Sequence, residues 1–143
     1  MKITLLSLLI TLGACSFSQQ MSITVSAQHK TISVVTDDDN SDKILNLERS
    51  TAPSEACLIA SLSQEEKQKD WKRIFIIYNK EDSEISRLAL IKENTYGILL
   101  KDLFLQLQNG QEYSLYTIVL PEDPQKAMEV RVARQMVCKI EIN

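Results

Sequence analysis

The chain has 143 residues, of which 24% are charged, and its formal net charge is −3 at pH 7. Lysine and arginine residues are not clustered, so the sequence lacks the electrostatic surface that nucleic-acid binding requires. Only three glycines and three prolines are present, and this composition excludes a low-complexity chain.

The N-terminus has the layout of a secretory signal. Lys2 supplies the positive start, an apolar stretch follows from Ile3 to Leu12, and small residues come next. This stretch is shorter than the roughly 20 residues that a membrane-spanning helix needs. We therefore expect residues 1–14 to be a signal peptide that is removed on export.

The end of this stretch reads Leu12-Gly13-Ala14-Cys15 and resembles the lipobox of bacterial lipoproteins. The resemblance implies that Cys15 is diacylated and becomes the first residue of a lipoprotein of the outer membrane or periplasm. The competing pattern is Ser16-Phe17-Ser18, which fits cleavage by ordinary signal peptidase before Gln19. That cleavage would discard Cys15 and leave a soluble secreted protein.

Residues 15–20 are predicted to be a polar tether, and residues 21–143 a single β-domain. The chain without residues 1–14 is 129 residues long, enough for one domain with a hydrophobic core. Its first two predicted strands, Ser22–Ala27 and Thr31–Thr36, alternate polar and apolar residues and form a hairpin. Further strands are predicted at Glu55–Leu62, Arg73–Tyr78 and Ile85–Ile91, with Gln64–Lys72 either a short helix or a charged loop.

The second half of the chain predicts another hairpin. Asn109-Gly110 is typical of a two-residue turn and joins the segments Ile98–Gln108 and Gln111–Leu120. Asp123 precedes Pro124 and predicts the start of a brief helix, and the last residues alternate as a terminal strand. About eight short strands indicate an all-β fold, a small antiparallel β-sandwich-like domain with at most one or two short helices.

Cys57 and Cys138 remain in the mature chain whichever of the two cleavages occurs. In an exported chain, two such cysteines predict a disulfide bond. The alternative is two buried free thiols. The bond would close a loop of about 80 residues and contribute on the order of 4 kcal/mol. We therefore expect the strand that carries Cys57 to contact the terminal strand.

The segment from Asp37 to Glu48 resembles the calcium loop of an EF-hand protein. Oxygen-bearing side chains stand at Asp37, Asp39 and Ser41, and Glu48 takes the twelfth position. The sixth position is Asp42 instead of the glycine that the turn needs, and the preceding segment is a predicted strand. A solvated acidic loop is the competing interpretation, so no metal or other cofactor is favoured and calcium is kept as an alternative.

No catalytic motif stands out. His29, the single histidine, falls in a predicted turn, and neither a Gly-x-Ser-x-Gly elbow nor a Cys-x-x-Cys motif is present. Acidic residues such as Glu65-Glu66 and Glu81–Glu84 are expected in solvated turns. Aromatic residues that could form a platform for a glycan or peptide are Trp71, Tyr78, Tyr96, Tyr113 and Tyr116, while Arg131 and Arg134 are expected to flank a strand.

The sequence therefore predicts a non-enzymatic, lipid-anchored envelope module that binds or scaffolds another envelope component, a protein or a glycan. Two alternatives stay open. One is a small secreted hydrolase that acts on a glycan or peptide through paired carboxylates. The other is a calcium-dependent binding module.

Overall fold

The structure, a computed structural model, describes residues 20–26, 30–35, 39–49, 55–63 and 70–143. This part of the chain is mostly strand, with two short helices. In chain order the elements are β1 (Gln20–Val25), β2 (Lys30–Val35), β3 (Ile44–Leu47), β4 (Cys57–Leu62), β5 (Trp71–Tyr78), β6 (Glu84–Lys92), β7 (Thr95–Leu99), α1 (Leu100–Phe104), β8 (Glu112–Pro121), α2 (Pro124–Glu129) and β9 (Gln135–Ile142).

The strands form one sheet in the order β2-β1-β4-β7-β6-β5-β8-β9-β3, which nearly closes into a barrel. Neighbouring strands are antiparallel, apart from the parallel pair β3–β9, so the sheet is mixed. The predicted all-β fold with at most two short helices is confirmed. The hairpin of the first two predicted strands is also observed, as β1 and β2.

The sheet turns a corner along β6. Its first half pairs with β5, as in the register Phe75 to Leu88, and its second half pairs with β7, as in the register Ala89 to Gly97. A strand that changes partners in this way folds one sheet over onto itself. The apolar side chains of the two halves then face each other in a single core, where Leu58, Phe75 and Leu115 are fully buried.

The two outer strands of the sheet, β2 and β3, are bridged by side chains. Lys43 Nζ donates to the carbonyl of Ser33 on β2 at 2.6 Å, and Lys30 Nζ donates to the carbonyl of Asn46 on β3 at 3.2 Å. Lys30 also lies 3.9 Å from the carboxylate of Glu48. We call this line of lysine contacts the lysine seam, because it joins the two edges where a closed barrel would have backbone hydrogen bonds.

One sequence prediction about strand pairing is wrong. The segments Ile98–Gln108 and Gln111–Leu120 do not pair as a hairpin, because β7 pairs with β4 and β6 and is followed by α1. In the segment after β7, leucine and phenylalanine residues at helical spacing favour the helix α1 over a strand. The Cys57 strand is not a sheet neighbour of the terminal strand, since β4 pairs with β1 and β7 and β9 pairs with β8 and β3.

The short helix predicted after Asp123 is present as α2. Pro124 is its first residue, and the Asp123 side chain accepts a hydrogen bond from the backbone N–H of Gln125 at 3.0 Å. Most of the segment predicted at Gln64–Lys72 lies outside the described residues, and β5 begins at Trp71.

Candidate functional site

One end of the sheet is closed by α1 and the turn that follows it, and we call this the α1 end. Apolar residues recur along this segment with helical spacing, so they form one stripe that packs onto the core. The four members of this stripe are buried: Leu100, Leu103, Phe104 and Leu107. The turn then reaches Gly110, whose φ of 75° lies in the region that glycine adopts without steric strain.

Arg49 fixes this turn from the side of β3. Its guanidinium donates to the carbonyl of Phe104 at 2.8 Å, to the carbonyl of Leu107 at 2.6 Å and to the side-chain oxygen of Asn109 at 2.9 Å. It also lies 5.1 Å from the centre of the Phe104 ring. The planar guanidinium thus satisfies the carbonyl of Phe104, which the end of α1 leaves unpaired, and the carbonyl of Leu107 in the turn that follows.

Leu105 is the apolar residue that this turn presents to solvent. The exposed fraction of Leu105 is 85%, whereas Phe104 and Leu107, the nearest members of the apolar stripe, are buried. Lys101, Asp102 and Gln106 are exposed beside it. An exposed leucine on a turn that is held by three hydrogen bonds is a pre-organised contact point, and we take it as the candidate functional site.

A second fixed cluster lies on the outer face of β5 and β8. The Tyr78 and Tyr116 rings meet edge to face with their centres 5.4 Å apart. The Arg134 guanidinium lies 4.7 Å and 4.4 Å from these two centres and 2.6 Å from a carboxylate oxygen of Asp82. The Arg134 guanidinium therefore packs against two of the aromatic rings that were proposed from the sequence as a binding platform. Its ion pair with Asp82 also connects the segment before β9 to the β5–β6 turn.

The other aromatic residues do not form a common platform. Tyr96 packs against Phe75 with ring centres 5.0 Å apart. Tyr113 is buried, and its hydroxyl accepts a hydrogen bond from the backbone N–H of Gln108 at 2.8 Å. Trp71 is half-buried at the start of β5. These side chains support the core and the α1 end.

The structure describes three residues of the calcium candidate, Asp39, Ser41 and Glu48. Asp39 accepts a hydrogen bond from the backbone N–H of Ser41 at 3.0 Å. Hydrogen bonding by the Ser41 side chain, and then by its backbone N–H, lowers the pKa of the Asp39 carboxyl group. β3 then separates these residues from Glu48, and four extended residues span about 13 Å. Calcium ligands must lie within about 2.6 Å of one ion. Asp37 lies outside the described residues.

Glu84 is one of the acidic residues that the sequence placed in a solvated turn. Glu84 forms an ion pair with Arg87, and the hydrogen bond from that guanidinium lowers the pKa of Glu84. A general acid needs the opposite shift. Within the described ranges, no three His, Cys, Asp or Glu side chains form a group that could hold a metal ion. His29, Glu65 and Glu66 lie outside the described residues.

The predicted disulfide bond is not formed in this structure, and both thiols are free. Burial alternates along β4, so Leu58 faces the core and Cys57 lies on the other face, half-buried. Cys138 is fully buried in the core. Residues on opposite faces of strands that are not neighbours cannot be joined without moving the backbone. Cys15 lies outside the described residues.

The two thiols should differ in their reactivity. We expect iodoacetamide at pH 8 to alkylate Cys57 in the folded protein at least 100-fold faster than Cys138, because only thiolates react and burial raises the pKa of the Cys138 thiol to about 12. Peptide mapping by mass spectrometry distinguishes the two sites. Unfolding in urea should make both react alike, and a pair that resists alkylation until it is reduced would contradict the free thiols.

Sequence reasoning missed Arg49. Its neighbours give no signal of its role, because the carbonyl groups that it binds lie more than 50 residues further along the chain and become available only when α1 forms. The lysines of the lysine seam were missed for the same reason. Leu105 was assigned to a strand, in which its exposure could not be anticipated.

No protein-family model matches the chain, and neither a curated protein nor a solved structure is significantly similar to it. Neither helix in the described part of the chain is long and apolar enough to cross a membrane.

Proposed function

We propose that the chain is a non-enzymatic, lipid-anchored module of the bacterial envelope, attached through Cys15, which binds another envelope protein through the surface around Leu105. The observation that carries this proposal is the exposed Leu105 on a turn held by Arg49, at the end of the sheet opposite to Gln20. An apolar side chain that is already fixed in position loses little conformational freedom when it enters a pocket on a partner protein.

The position of Gln20 indicates that the surface around Leu105 faces away from the proposed lipid anchor. Gln20 is the first residue of β1, and the other end of β1 lies beside the start of β4, where the N–H of Ser26 donates to the carbonyl of Cys57. The N–H of Leu100, the first residue of α1, donates to the carbonyl of Ala56 at that same end. A strand of six residues spans about 20 Å. A chain anchored before Gln20 therefore presents the α1 end away from its anchor.

A photo-crosslinking residue in place of Leu105 tests the proposal in the native host. We expect a discrete crosslinked product with one envelope protein. The matched control is the same residue in place of Met128 on α2, which is 87% exposed and therefore equally accessible. The product should fall at least fivefold when Gln106, beside position 105, is changed to a bulky charged residue. Equal products at positions 105 and 128, or none at 105, would contradict the proposal.

A further inference from the structure

The turn between β6 and β7 lies at the same end of the sheet as Gln20. β1 and β4 pair with Met21 opposite Leu62, and the N–H of Ser63 donates to the carbonyl of Gln20 at 2.9 Å. The N–H of Leu62 donates to the carbonyl of Asn94, in the β6–β7 turn, at 2.9 Å. We call this the Gln20 end, and it also includes the last residues of β6.

Two large apolar residues are exposed near the Gln20 end. Leu90 is 65% exposed and Ile91 is 57% exposed, next to each other on β6 where the register with β7 shifts. Gly97 lies under Ile91, since a Cβ atom placed on Gly97 would be 2.5 Å from Ile91 Cδ1. Because Gly97 has no side chain, the end of the Ile91 side chain packs against the sheet there. The rest of the Ile91 side chain remains exposed to solvent.

The chain that precedes Gln20 limits how far this end can lie from a lipid anchor. Four residues lie between Cys15 and Gln20, and the five residue-to-residue steps from Cys15 to Gln20 span at most about 18 Å when fully extended. If Cys15 carries the lipid, the Gln20 end is the part of the domain held nearest to the bilayer surface. The exposed Leu90 and Ile91 are then within reach of the lipid.

Among the described residues, the charges at the Gln20 end are mixed. Exposed cations at Lys72 and Lys92 stand beside exposed carboxylates at Asp70, Glu93 and Glu122. Such a surface has no strong attraction for anionic headgroups. A contact between this end and a bilayer therefore depends on burial of apolar surface and should resist high salt.

We propose that Leu90 and Ile91 contact the lipid bilayer and orient the domain on it. The inference rests on the proposed lipid anchor at Cys15. A lipid anchor at the N-terminus attaches a domain to the bilayer but leaves it free to rotate. A second apolar contact increases the affinity for the bilayer and restricts that rotation. The α1 end then faces away from the membrane, where its partner can reach Leu105.

Trp71 provides the measurement, because it is the sole tryptophan and begins β5. Since β5 and β6 run antiparallel, the start of β5 lies at the same end of the sheet as the last residues of β6. The mature lipoprotein is purified from its host and reconstituted into phosphatidylcholine vesicles that contain phospholipids with brominated acyl chains. We expect the bromines to quench Trp71 fluorescence, in 1 M NaCl as in low salt. Changing Leu90→Ser and Ile91→Ser together should reduce the quenching at least twofold.

The matched control is Leu105→Ser, which removes an exposed leucine from the opposite end and should leave the quenching unchanged. Circular dichroism checks that each variant is folded. Intact mass measured before reconstitution separates the two proposals. A mature chain that begins at Gln19 without acyl mass overturns the lipid anchor and this inference with it. An acylated protein whose Trp71 is not quenched, or is quenched equally in the double variant, overturns only the bilayer contact.

Discussion

Arg49→Met should lower the free energy of unfolding by about 2–3 kcal/mol, because two partly buried carbonyl groups, those of Phe104 and Leu107, lose their hydrogen-bond donor. Methionine retains much of the apolar stem, so the loss reports on the guanidinium. Urea denaturation monitored by circular dichroism measures the effect. Since Leu105 lies between these two carbonyl groups, crosslinking from position 105 should weaken in the same variant.

Two further variants separate this role from a general effect of charge. Arg49→Lys keeps the charge but can place only one ammonium group where three donors are needed, so we expect it to recover less than half of the lost stability. Lys72→Met removes an exposed cation and should change stability by less than about 0.5 kcal/mol. Equal stability of Arg49→Met and the wild-type protein would show that the turn holds itself together without Arg49.

The stability of the domain should fall as the pH rises above 9. Burial raises the pKa of the Cys138 thiol from 9.0 to about 12, so the folded state keeps its proton over a pH range in which the unfolded state loses it. A group whose pKa is raised on folding contributes stability below its unfolded pKa, and this contribution is lost between pH 9 and pH 12. The full loss is about 4 kcal/mol, and about 2.5 kcal/mol of it should occur between pH 8 and pH 11.

Cys138→Ala isolates this effect, because it removes the thiol and leaves every other titrating group in place. The variant should be less stable than the wild-type protein at pH 8, since it leaves a small cavity in the core, but its stability should depend less on pH. Urea denaturation at pH 8 and pH 11 gives both values for each protein. An equal loss of stability in the two proteins would mean that the core does not hold the thiol in its neutral form.

The sequence predicted the elements whose signals are local. The alternation of Ser22–Ala27 and Thr31–Thr36 predicted the first hairpin, and the cap at Asp123 predicted α2, because each depends on residues a few positions apart. The all-β class followed from the sum of such signals. Pairings between distant strands, such as β3 with β9, depend on how the whole sheet closes and leave no local trace.

The hairpin predicted around Asn109-Gly110 shows where local signals compete. The turn residues are the expected ones, and Gly110 does adopt a positive φ. The preceding leucines, however, have helical spacing, and the short helix with the turn after it buries Leu100, Leu103 and Leu107 in the core. The candidate site could not be predicted for the same reason, since Leu105 is exposed only because α1 forms and Arg49 fixes its end.

The lysine seam has a consequence for how copies of this domain can associate. An edge strand presents a row of unpaired backbone groups, and a neighbouring molecule can extend the sheet by pairing with it. Here the carbonyl groups of Ser33 and Asn46 each accept a bond from a lysine of the same molecule. Any neighbour would have to displace an ammonium group to pair there. The lysine seam therefore opposes edge-to-edge pairing between copies of the domain at these two carbonyl groups.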